Sequence, residues 1–205
     1  MSQRLITSTA FLPPVAWYLA AMQREEWTVE AHENYQKGGY RNRCRIATAN
    51  GSAWLSIPLE KGKNQGTPIK EVGISYQTDW PRIHQQSIQS AYGRAPFFEF
   101  YADEIFGLLH TRPLHLWSLN QAFMELVWRL LQLPNTIQES QYFAPVVEQE
   151  GVLDLRHQRA RLPLTPPPYQ QLFTERHGFL GDLSILDLLF CLGPAAGTYL
   201  RANIN

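Results

Sequence analysis

What the chain lacks narrows the field before anything it contains. Two cysteines, Cys44 and Cys191, occur in 205 residues. Each lies inside an apolar pattern, so they read as core side chains rather than a disulfide framework or a zinc site, and they fit a reducing compartment, the cytoplasm. An excess of one charge is missing too: 18 basic side chains are matched by 18 acidic ones. No global field then draws the protein onto nucleic acid or an anionic membrane, and any anion site must be local. No stretch reaches the roughly 18 consecutive apolar residues of a membrane span, so no membrane insertion is expected. The N-terminal segment, interrupted by Pro13 and Pro14 and followed by no small-residue cleavage site, does not read as a signal peptide. Also absent are a GxGxxG turn, a P-loop, an HxGH-like signature, an HExxH helix and a GxSxG elbow. These absences argue against dinucleotide binding, phosphate-loop chemistry, zinc hydrolysis and serine hydrolysis, and neither metal nor cofactor is expected.

What is present is a globular composition. Hydrophobic residues make up 44% and aromatics 12%, with 6 tryptophans, enough for a substantial core or an aromatic-lined pocket in one domain spanning 1–205. Residues 5–9 read as a strand, Pro13-Pro14 suits the first turn of a helix running to about residue 24, and 27–30 resume as a strand, which makes a βαβ opening. A hairpin over 37–58 and a further strand at 72–76 leave residues 1–77 sheet-rich. From residue 78 the period turns helical. Asp79 is placed to N-cap a helix with Pro81 in its first turn, and Pro96 begins a second. Residues 113–133 carry a third, with Leu116, Leu119, Phe123, Leu126, Val127 and Leu130 inward before Pro134 stops it. Residues 135–168 show weak periodicity and end in three prolines, which predicts a long irregular segment. A last helix starts at Ser184 and stops before Gly193-Pro194, with a helical tail over 195–200. The expected class lies between α/β and α+β: a βαβ unit and the hairpin forming a mixed sheet, then a mainly helical C-terminal half, 78–205.

The hairpin is the sharpest local expectation. Asn50-Gly51 is the dipeptide favoured in a two-residue type I′ turn, and its flanks alternate. Pairing Ala49 with Ser52 sets Ile46 opposite Leu55 and Cys44 opposite Ile57, so these four share an apolar face while Arg43, Arg45, Trp54 and Ser56 take the other. Between Asn34 and Leu59 there is no Asp or Glu, yet Lys37, Arg41, Arg43 and Arg45 all fall there. Four cations without local counter-charge make a small electropositive site. The arginine fork matches phosphate or carboxylate, and Trp54 is placed to stack on a ring or a guanidinium. The structural alternative is that these charges guard a sheet edge or pair with Glu30 and Glu33 upstream.

Other polar residues divide in the same way. Asn42 shares the apolar face, where an amide must find partners, so organising the strand and touching a ligand are equally open. His84 lies on the apolar stripe of its helix, and a general base there competes with a satisfied core histidine, the commoner outcome. Ser184 and Asp187 have the spacing of a capping box, which accounts for both without a function. Tyr169 and Gln171 follow the triple proline, either projected into a pocket or anchoring the segment.

A resemblance emerges from these pieces in combination: ENYQKGGYRNRCRIATANGSAWLSIP, the Trp80 to His84 spacing, AYGRAPFFEFY, the DLR at 154–156, PYQQLF and LSILDLLFCLGP. The chain resembles the WbqC-like family in its shorter, Bacteroidetes-type form, over nearly its whole length. The resemblance implies a place among O-antigen and other surface-polysaccharide functions, and an acyl or aminoacyl (glycine-type) transferase. Carried over by position, His84 would be the catalytic base. Lys37, Asn42, Arg43, Tyr92, Tyr169 and Gln171, joined by Arg41 from the acid-free cationic stretch, would bind a small-molecule substrate, a nucleotide-activated sugar together with an acyl or aminoacyl donor. The alternative is a non-catalytic binding or assembly protein of the same pathway. Two departures stand out: the family's QPxYLPW pattern is present only as TAFLPPVAWY, without the glutamine, and the central stretch of the longer form is missing before Tyr169.

Overall fold

Residues 3–60, 66–134, 137–143, 151–156, 162 and 164–204 are described by the structure, a computed structural model. Strand β1 (Arg4–Ser8), helix α1 (Val15–Met22) and strand β2 (Glu26–Glu30) form the expected parallel βαβ unit, with Leu5 beside Trp27 and Thr7 beside Val29. Helix α1 is apolar all round and buried from Val15 to Ala21, as a helix with no solvent face must be. Trp27 anchors the unit. It packs against Trp17, Tyr18 and Trp128 at centroid distances of 5.1 to 6.2 Å. Its indole N–H donates to Thr7 Oγ1 at 2.9 Å, so the largest side chain enters the core with its one donor satisfied.

Strands β3 (Arg43–Thr48) and β4 (Gly51–Ser56) form the hairpin as a separate two-stranded antiparallel sheet. Its register corrects the expected one: Cys44 pairs with Leu55, Ile46 with Ala53 and Thr48 with Gly51. A type I′ turn needs positive φ at both central residues, but Asn50 does not adopt it, and in this turn Gly51 alone does, at 113°. The turn therefore passes over Ala49-Asn50 and leaves the left-handed position to glycine, as in a type I turn closed by a glycine bulge. Each β3 partner moves two positions along β4, an even step, so both faces keep the side chains expected of them. Outer backbone groups of β3 are covered: Ser184 N–H donates to the Arg45 carbonyl at 2.7 Å and Ala47 N–H to the Tyr92 hydroxyl at 3.0 Å.

Residues 72–76 are not a strand. A short 3-10 turn at Ile69–Glu71 leads into isolated bridges, Leu59 with Ile74 and Gly73 with His115, so the apolar alternation serves two different partners and builds no ladder. Three helices follow, α2 (Trp80–Tyr92), α3 (Phe98–Leu109) and α4 (Leu116–Leu131). Asp79 holds the N-cap position of α2 without capping it, because its carboxylate is taken by Arg112 at 2.9 Å. Helix α4 buries Leu116, Leu119, Phe123, Leu126 and Val127 as expected and ends in a left-handed Gln132 ahead of Pro134.

The segment 135–168, expected to be irregular, supplies two strands, β5 (Ile137–Glu139) and β6 (Val152–Asp154). They lie parallel at the two margins of the sheet, in the order β5-β2-β1-β6. Three residues are too few to show a period of two, which is why pattern alone misses them. The chain closes with α5 (Thr174–His177), α6 (Ile185–Leu192) and α7 (Ala195–Ala202). Helix α7 packs on α1 and α4, and a Cβ at Gly197 would come within 2.1 Å of the Leu131 carbonyl oxygen. Ser184 caps α6 by accepting the Leu186 N–H at 3.3 Å and donates to the Leu12 carbonyl at 2.9 Å. Asp187 does not complete the capping box, since its carboxylate is engaged elsewhere.

Candidate functional site

The fold sorts the four cations near the hairpin into different roles. Arg41 is 1% exposed. Its Nε and Nη2 donate to the two carboxylate oxygens of Glu33 at 3.0 and 2.7 Å, and Nη2 also reaches the Arg156 carbonyl at 2.8 Å. The Asn120 amide donates to the Arg41 carbonyl at 2.8 Å. Burial pushes the Glu33 carboxyl pKa up, and the hydrogen bond and charge of Arg41 oppose that shift. Alongside, Arg156 pairs with Glu30 at 2.9 Å and with Asp154 at 2.5 Å. This ion network stands at the carboxyl ends of β2 and β6, where parallel sheets commonly place ligands. Here its two arginines are held by the chain's own acids. Arg41 is accordingly a core cation and not an open ligand contact. The acids Glu30 and Glu33 were visible in the sequence, but their burial at the strand end was not.

Arg45 donates to Ser52 Oγ at 2.7 Å and pairs with Asp182. Arg43 differs. Its Nε donates to the Gly39 carbonyl at 3.0 Å, its guanidinium carbon lies 4.3 Å from the Trp54 ring centroid, and it has no carboxylate partner among the described residues. Tyr40 packs on the same indole at 5.9 Å. Together these side chains form a cationic, aromatic shelf in a cavity of about 550 Å³ that Leu164, Thr165 and Asp182 complete. Lys37 is exposed in the preceding loop. Asn42 accepts from the Tyr35 hydroxyl at 3.2 Å and donates to the Ile57 carbonyl at 2.9 Å, so its amide organises the entry to the hairpin.

His84 is 3% exposed and lies between the rings of Phe11 and Trp80, at 6.0 and 5.0 Å. Burial lowers its pKa to about 4, against a backbone contact with Ser56 that raises it. Among the described residues Nδ1 has no hydrogen-bond partner. The imidazole lines a cleft of about 670 Å³ between the hairpin and α2. Trp54 lines this cleft as well as the shelf. Arg43 and His84 nevertheless open into different cavities, since Arg43 lines the shelf and not the cleft, and His84 the cleft and not the shelf.

Tyr92, Tyr169 and Gln171 are gathered around a third centre, Asp187. The Tyr169 hydroxyl and the Gln171 amide donate to Asp187 Oδ2 at 2.7 and 2.9 Å, and Gln171 also bonds both backbone groups of Leu180, at 3.0 and 2.9 Å. Asp187 is 0% exposed. Burial raises its pKa, opposed by the polar groups of Tyr169, Tyr92 and Gln171. The geometry is that of an internal clasp between the segment after the prolines and α6. Capping-box spacing hid this role in the sequence. Among the described residues no group of three His, Cys, Asp or Glu is placed to hold a metal ion, and His157 lies outside the described residues.

Fold and geometry define an α/β protein with a small parallel sheet, a free-standing hairpin and two cavities that share Trp54. The chain belongs to the WbqC-like protein family, whose model matches residues 9–162. It is 23% identical to the uncharacterized protein Rv1507c of Mycobacterium tuberculosis over 228 residues, covering 98% of each chain. No solved structure matches it. Among the described residues no single helix is long and apolar enough to cross a membrane.

Proposed function

We propose that the protein binds a nucleotide-activated or otherwise phosphorylated sugar for surface-polysaccharide assembly, on the shelf of Arg43, Trp54 and Tyr40. The supporting observation is the state of Arg43: half-buried, stacked at 4.3 Å on an indole and without a carboxylate partner among the described residues. Its Nε bond to Gly39 orients the fork and leaves the terminal nitrogens for a phosphate, while the aromatic faces suit a sugar ring or a base. The pathway is carried by the family resemblance. Titration calorimetry with UDP-N-acetylglucosamine tests the reading. Saturable binding should weaken at least about tenfold, roughly 1.4 kcal/mol, in Arg43→Gln and stay unchanged in Arg112→Gln. Binding equal in Arg43→Gln, or no binding at all, would remove it.

A second reading, an acyl or aminoacyl transferase, is favoured by His84. A buried imidazole that stays neutral can accept a proton from an amino or hydroxyl acceptor, and Trp54 is common to its cleft and the shelf. Mass spectrometry of a UDP-amino sugar incubated with an acyl donor should then show a product that His84→Gln abolishes and Arg112→Gln retains.

A further inference from the structure

We infer that the cleft between the hairpin and α2 is a second binding site, and that its occupant is an uncharged acyl chain with an uncharged polar head. Its volume, about 670 Å³, is that of a small-molecule site. Ile46 and Leu55 from the hairpin and Ile83 and Ala91 from α2 supply an apolar lining, with the hydroxyls of Ser87 and Ser90 alongside. Ile83 is left 54% exposed beside it, an apolar side chain that a bound chain would cover.

Charge decides the class of ligand. Among the described residues no Lys, Arg, Asp or Glu lines the cleft. A carboxylate, phosphate or ammonium drawn into it would give up water and meet no counter-charge, a costly exchange. Of the two donors considered for group transfer, the acyl group therefore fits this cleft and the aminoacyl group, with its ammonium, does not. The head group is set by His84. His84 lines the cleft, and among the described residues its buried Nδ1 has no hydrogen-bond partner. A buried polar atom without a partner is uncommon in folded proteins, and an uncharged polar head on the ligand would satisfy it with a small turn of the ring into the cleft. Binding in this cleft does not depend on the shelf, so the two proposals stand or fall separately.

The probe is octanoyl-N-acetylcysteamine, which is uncharged and has an amide N–H, compared with octanoate, which carries a similar chain on a carboxylate. Ligand-observed NMR and calorimetry on the full chain should show saturable binding of the thioester and at least about tenfold weaker binding of octanoate. Ser90→Trp, at an exposed α2 position, should fill the cleft and abolish thioester binding, and Ser87→Trp should repeat the effect if either variant alone melts early. Arg43→Gln should bind the thioester as the parent does, and Ser90→Trp should bind UDP-N-acetylglucosamine as the parent does. Equal binding of octanoate, absence of thioester binding, or binding that survives both tryptophan variants overturns the inference.

Discussion

Packed between Phe11 and Trp80, His84 gives up its proton at a lower pH than a free imidazole, about 4 in place of 6.5. The unfolded chain binds that proton first as pH falls. The stabilising contribution is complete above 6.5 and is lost progressively toward 4. Urea unfolding across this window should show the parent protein losing on the order of 3 kcal/mol more than His84→Gln. Parallel curves for the two proteins would show that the imidazole is not buried in its neutral form. His84 was legible in the sequence as a residue on an apolar stripe. Arg41 and Arg43 were not separable there: two positions apart and chemically identical, one is neutralised in the core by Glu33 and the other lies on Trp54. That difference comes from which partners the fold brings within reach.

At the scale of elements, the hairpin shows where pattern stops being informative. Alternation and the Asn50-Gly51 pair announced it, and alternation alone fixed which side chains share a face. Register depended on a dihedral angle that composition does not reveal, since Gly51 and not Asn50 carries the positive φ. Gly51→Ala should therefore cost about 1 kcal/mol through backbone strain, because among the described residues nothing lies within 4 Å of the added Cβ. Asn50→Ala should stay within about 0.5 kcal/mol of the parent. A type I′ turn would make both substitutions costly, so paired denaturation midpoints distinguish the two geometries. Caps divide similarly. Ser184 caps α6 as its position announces, whereas Asp79 is claimed by Arg112 from the far end of α3.

Across the whole molecule, distant segments meet at Asp187, which ties residues 169–171 to α6 beside Tyr92. Asp187→Ala should orphan the Tyr169 and Gln171 donors and cost about 2–3 kcal/mol. Asp187→Asn should cost less than about 1 kcal/mol, since an amide oxygen can accept the same two bonds. Equal losses in chemical denaturation would mean that the carboxylate's charge, not its acceptor, holds the clasp. Sequence by itself determined the βαβ opening, the long helices, the faces of the hairpin and the family, because these rest on periodicity and local turn chemistry that neighbouring residues carry. Tertiary structure alone decided the pairing of β5 with β2 and of β6 with β1, the consumption of Arg41 and Gln171 inside the protein, and the division of Arg43 and His84 between two cavities. Those outcomes depend on contacts outside any one element, from 8 positions apart for Arg41 with Glu33 to 115 for Arg41 with the Arg156 carbonyl, and no local pattern encodes which buried polar group will find which partner.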